Sequence, residues 1–227
     1  MSTAAVENGH EHAHHKDQAH HFHSMEQQNA ANKLGMWAFL VQELLFFGGL
    51  FMAYVAVRYM YPETFHESYQ HLSIPMGATN TVVLLLSSLT MALAVRETQL
   101  EERGKAKNYI LVTILCALGF MVIKTFEYSH KIHDGLLPGK LYSHETLDPV
   151  RAVHDAPQLF FAVYFMMTGV HGLHVVIGIG LLGWLWIRLN KGHFDRHNYS
   201  AVENVGLYWH LVDLIWIFLF PLLYLVK

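Results

Sequence analysis

Five apolar segments dominate this chain, and each is close to the ~20 residues needed to cross a bilayer as a helix. They run over residues 34–57, 78–95, 109–128, 159–187 and 202–226. In lipid every backbone N–H and C=O must find its partner inside the protein, which leaves helices and closed barrels as the only spanning structures. The alternation of apolar and polar residues that marks barrel strands is absent from these segments. The sequence therefore predicts an all-α integral membrane bundle of five transmembrane helices, with the 159–187 segment long enough to tilt or to project beyond the bilayer.

Composition agrees: 53% of the 227 residues are hydrophobic and only 15% are charged. A formal net charge of -3 excludes a strongly basic nucleic-acid binder, so no nucleic-acid partner is expected. The only cysteine, Cys116, lies inside an apolar segment, which leaves neither a disulfide framework nor a thiolate pair for a metal. Nothing at the N-terminus has the basic, apolar, small-residue order of a cleavable signal, and insertion is expected to use the first span. Residues 1–33 are polar and carry His10, His12, His14, His15, His20, His21 and His23. With few large apolar groups they are expected to form a disordered tail, histidine tracts binding metals adventitiously, with a metal-scavenging segment for an ion such as copper as the sharper alternative.

Basic residues suggest an orientation. One set of connections holds Lys16, Lys33, Arg96, Arg103, Lys105, Lys107, Arg188, Lys191 and Arg196, and the other holds Arg58, Lys131, Lys140, Arg151 and Lys227. The richer side is expected to be cytoplasmic, placing the N-terminus inside and the C-terminus outside. The connection over 131–156 is the longest and has turn signals at Pro138, Gly139, Asp148 and Pro149.

Polar residues within the spans are the strongest functional signal, because they are costly in hydrocarbon. In MTGVHGLHVVIGIGLLGW, residues 167–184, Gly169, Gly172, Gly180 and Gly183 fall within roughly 80° of one another at about 100° per residue. That stripe predicts a face for close helix packing, while His171 and His174 lie opposite and need polar partners. Glu43 is a buried carboxylate in WAFLVQELLFF; it serves either proton or lipid chemistry, or a hydrogen bond between helices. Lys124 and Glu127, three residues apart, predict an ion pair on one helical face. Glu203, Gly206, His210 and Asp213 share another face of roughly 80°, which must meet protein or a wet cleft and reads as a polar seam or a proton relay. His171, His174 and His210 as haem or metal ligands, and the charged residues as parts of an independent ion carrier, are the competing classes.

Five motifs then carry a resemblance: WAFLVQELLFF at 37–47, NTVVLLLSSLT at 80–90, FEY at 126–128, TGVHGLHVVIG at 168–178 and YWHLVDLIWIFLFPLLY at 208–224. In this order they resemble subunit III of the haem-copper respiratory oxidases, in a short five-helix form. The resemblance covers residues 34–227. It implies a multi-pass, non-catalytic subunit of a bacterial cytoplasmic membrane that packs against subunit I of a proton-pumping oxidase, with subunit II also in the complex. It also implies no cofactor on this chain, haem and copper in the partner subunits, bound phospholipid, and support of proton uptake. Glu43, Glu127, His171, His174, His210 and Asp213 match polar positions of the family. Lys124 departs from it, as does the histidine-rich tail. The electron donor, cytochrome c or quinol, is left open, as is a related accessory subunit of nitric oxide reductases.

Overall fold

A computed structural model describes residue 22 and residues 24–68, 72–138, 157–191 and 199–226. The tail histidines from His10 to His23 lie outside the described residues, as does most of the connection after α4. Six helices are described: α1 Met25–Met60, α2 Pro62–Ser68, α3 Ile74–Gln99, α4 Arg103–His133, α5 Pro157–Asn190 and α6 Ser200–Phe220. All but α2 are long and apolar enough to cross a membrane. No strand occurs among the described residues.

Two boundaries correct the sequence reading. Helix α1 begins at Met25, so residues 25–33 are helical rather than part of a disordered tail. Ser24 starts it: its Oγ accepts the Gln27 N–H at 3.2 Å, and Glu26 sits in the positive first turn. The local pattern Ser-x-x-Gln is a capping signature that the apolar count overlooks. Replacing Ser24 by alanine is expected to weaken this end by about 1 kcal/mol. Faster amide exchange confined to the first turns of α1 would record it; unchanged exchange would deny the cap any role.

At the other boundary, α4 continues to His133, and Lys131, expected in an exposed connection, is a helical residue only 4% exposed. Glu127 one turn earlier holds it, as described below.

Helices α3, α4, α5 and α6 form a closed ring in which each packs on the next and α6 returns to α3. Between α3 and α4 the chain reverses over Leu100–Glu102, where Glu101 takes a positive φ of 63°. Helix α1 stands outside the ring, against α5 and α6. Its outer face, including Leu34, Trp37, Leu44, Leu45 and Met52, is exposed, as expected for side chains that meet lipid tails. Aromatic side chains fill the ring: Trp209, Trp216, Tyr164, Phe120 and Phe161 are all fully buried. Phe65 of α2 closes one end by meeting Tyr54 and Phe160 edge to face, with centroids 5.3 and 5.0 Å away.

Pro221 decides how α6 ends. Proline has no N–H to continue the ladder, and residues Pro221–Leu225 slip into a π turn closed by Val226 N–H donating to the Pro221 carbonyl. The last carbonyls are satisfied from α1 instead. Tyr54 Oη donates to the Leu222 carbonyl at 2.6 Å, and Arg58 donates to the Val226 carbonyl and to Tyr54 Oη, both at 3.1 Å.

Close backbone approaches fall elsewhere than the sequence stripe suggests. A Cβ added at Gly172, Gly180 or Gly183 would meet nothing within 4 Å, and at Gly169 only the Tyr128 hydroxyl at 3.9 Å. Among the described residues the stripe therefore meets only that hydroxyl. Gly178, on the histidine side of α5, is the tight position: a Cβ there would lie 2.6 Å from the Trp209 ring and 3.3 Å from that of Tyr208.

Candidate functional site

The polar side chains of the bundle form three groups. The first joins α1 to α5, where Glu43 Oε2 lies 3.1 Å from His174 Nε2. The other nitrogen, His174 Nδ1, is 2.9 Å from the Val170 carbonyl oxygen. A carbonyl can only accept, so Nδ1 carries a hydrogen. The contact between Nε2 and Glu43 then holds one further proton, either on the acid or on the imidazole. Phe47 meets the ring edge-on with centroids 5.2 Å apart, and Tyr208 stacks on it at 6.5 Å while donating to the His174 carbonyl at 2.9 Å. Glu43 is 7% exposed, so this shared proton sits among aromatic rings close to lipid.

A second group surrounds Glu127 between α4, α5 and α6. Lys124 Nζ donates to Oε2 at 2.8 Å, while Lys131 Nζ at 3.1 Å, Tyr164 Oη at 3.0 Å and Tyr224 Oη at 2.5 Å share Oε1. Lys124 also donates to Tyr224 Oη at 2.9 Å and lies 4.6 Å from the centre of the Trp216 ring. Lys124, Glu127 and Lys131 are all at most 7% exposed. Two cations thus share one buried carboxylate, with tyrosine hydroxyls and an indole face spreading the charge. The i, i+4 spacing of Glu127 and Lys131 could have revealed the second cation. Tyr164 and Tyr224 lie far away in sequence and carry no such signal.

Along α6 the third group is a seam rather than a site. Glu203, 3.6 Å from Lys33 and 3.3 Å from Gln99, is at the mouth. His210 Nδ1 is 2.8 Å from Ser88 Oγ, one to two turns deeper. Asp213 Oδ2 is 3.5 Å from Ser87 Oγ, deeper still. All three therefore meet α3, Ser88 lying beside both His210 and Asp213, and Gly206 lets the helices close so that its added Cβ would lie 3.1 Å from Val95. The shared face of the sequence is present, but the antiparallel run of α3 divides it by depth.

His171 is separate from all three groups. It is fully buried between the Phe120 and Trp216 rings, with centroids 5.6 and 5.2 Å away, and neither nitrogen has a hydrogen-bond partner among the described residues. His171, His174 and His210 thus do not converge. Among the described residues no cluster of three or more histidine, cysteine, aspartate or glutamate side chains is placed to hold a metal ion.

With five spans and this arrangement of polar residues in place, comparison with known proteins decides the family. Residues 14–227 match the model of the family described as cytochrome c oxidase subunit III. The chain belongs to that family. This subunit III is also similar to the probable quinol oxidase subunit 3 of Staphylococcus haemolyticus (strain JCSC1435) and to that of Staphylococcus aureus (strain USA300). Each is 26% identical to it over 203 residues, covering 89% of this chain and 92% of the relative. The chain is thus a multi-pass membrane subunit of the haem-copper oxidases, enzyme complexes in which subunit III accompanies other oxidase subunits.

Proposed function

We propose that this subunit III is a non-catalytic part of a proton-pumping terminal oxidase in a bacterial cytoplasmic membrane, seated against subunit I, with its N-terminus inside, and supporting proton uptake. The observation that carries this reading is the 3.1 Å contact between Glu43 and His174, a carboxyl and an imidazole placed to share a proton beside the lipid-facing surface of α1. The pair needs no metal or haem to exchange a proton with water or with a neighbouring chain. Haem and copper supply oxygen reduction in partner subunits, and His171, His174 and His210, which do not converge, fit packing rather than ligation. The stripe of Gly169, Gly172, Gly180 and Gly183 presents a smooth face with almost nothing among the described residues against it, which suits the backbone of subunit I. Phospholipid is expected along α1, whose exposed side chains are apolar.

Purification from the native membrane in gentle detergent tests the assignment. Subunits I and II should accompany the chain, and haem absorbance should stay with them when the chain is separated. A chain that purifies alone, or keeps haem, would overturn it. For the pair itself, Glu43→Gln should leave assembly intact and slow proton uptake during turnover or shorten the active lifetime, because an amide still bonds His174 but cannot take or release the proton. Wild-type uptake and lifetime in that variant would remove the pair from the mechanism.

A quinol, rather than cytochrome c, is favoured as the electron donor by the names of the two relatives. Steady-state oxidation of each donor by the purified complex distinguishes them.

A further inference from the structure

The middle of the bundle holds polar atoms that the described protein does not satisfy. Asn80 on α3 is fully buried, and both its amide atoms lack partners. Both nitrogens of His171 on α5 lack them too, as does Oδ1 of Asp213 on α6. Even the Ser87 contact to Asp213 is weak. The single hydroxyl hydrogen of Ser87 is directed at the Leu84 carbonyl at 2.7 Å, its oxygen accepts Trp209 Nε1–H at 3.1 Å, and Asp213 is 3.5 Å away.

Trp216 relates the levels of these groups along the helices. Its indole meets His171 and Phe120, carries Lys124 over its face at 4.6 Å, and donates from Nε1 to Thr81 Oγ1 at 3.1 Å, beside Asn80 in sequence. Asp213 precedes Trp216 by one helical turn. Buried polar groups in native proteins almost always have a partner, and where protein supplies none, ordered water does.

We propose that the mid-bundle core formed by Asn80, His171 and Asp213 is a water-binding site that joins the α6 seam to the Glu127 cluster. The donor and acceptor inventory selects the ligand. Asn80 offers two donors and an acceptor, His171 one of each when neutral, and Asp213 Oδ1 an acceptor. A cation would need acceptors alone and would face the Lys124 ammonium. An anion would need donors alone and would face Asp213. Water supplies both kinds and carries no charge. Water there would carry polar contacts from Asp213 towards Lys124, whose ammonium lies over the Trp216 ring and bonds Glu127.

X-ray hydroxyl-radical footprinting of the intact oxidase complex tests this, because radiolysis of a bound water oxidises the side chains that touch it. Trp216 and Phe120, both fully buried, should be modified several-fold faster than Phe160, which is buried to the same degree away from the site. His171→Phe, which removes the polar nitrogens, should bring Trp216 down to the rate of Phe160. A high-resolution map of the unmodified complex provides a second reading that needs no variant. Density for water at hydrogen-bond distance from a His171 nitrogen and the Asn80 amide supports the site. Equal modification of Trp216, Phe120 and Phe160, or a map in which His171 and Asn80 bond protein groups directly, would overturn it.

Discussion

Glu127→Ala is expected to destabilise this subunit by about 3–5 kcal/mol, the scale for removing one partner of a buried ion pair. The cost arises from uncompensated positive charge more than from the missing hydrogen bonds. Lys124 and Lys131 would stay inside the bundle without a carboxylate, and two tyrosine hydroxyls would be deprived of their acceptor. The destabilisation should appear as a lower melting temperature of the purified complex and less subunit III in it. A triple variant, Lys124→Met, Glu127→Leu and Lys131→Met, should recover most of that stability, because it removes the stranded charges together. Tyr164 and Tyr224 lie 3.1 Å apart and can still bond each other. A single variant that melts with the wild type would mean that water enters freely around Glu127 and that the cluster does not fix the helices.

Substitution at Gly178 should give the next largest effect, with a destabilisation of about 1–3 kcal/mol on Gly178→Ala through overpacking. The added methyl would meet the Trp209 ring at 2.6 Å, and that ring cannot swing aside cheaply, since it is fully buried and its Nε1–H is bonded to Ser87. Gly180→Ala, two residues along the same helix, meets no neighbouring helix or side chain among the described residues within 4 Å and should leave the isolated subunit unchanged. If the stripe faces subunit I, the second variant should instead loosen the complex. Thermal melting and subunit stoichiometry, measured on both variants, separate the two roles. Similar melting temperatures for both would show that the tight contact at Gly178 relaxes.

The contrast between these glycines shows what could be read from the sequence. Hydropathy located all five spans because length and apolarity are local properties, and the motifs around Glu43, His171 and His210 identified the family. Angular position on one helix was also legible, which is why Glu203, His210 and Asp213 do face α3 together. What a face meets is a property of the neighbouring helix, and so the stripe of four glycines suggested packing that Gly178 performs within the chain. The same limit hid Tyr164 and Tyr224 from the Glu127 cluster. Lys131 was obscured differently: a cation at the end of an apolar run resembles a loop residue until its partner one turn back is weighed. Helix α1 began early for a related reason, since its cap at Ser24 lies in a polar stretch that hydropathy discards.

The latch between α1 and the end of the chain has a consequence in time. Tyr54 bonds the carbonyl of Leu222 across 168 residues of sequence, so the final seat of α1 is completed only by a segment made 168 residues later. At the usual ~5–20 residues per second of synthesis, that separation is roughly ten to thirty seconds. During this interval Glu43 lacks His174, Arg58 lacks Val226, and the polar side chains of α1 lie in the membrane without the partners they will keep. A nascent subunit III is therefore most in need of a chaperone or a waiting partner subunit while α1 awaits these partners, and least once Leu222 and Val226 are in place.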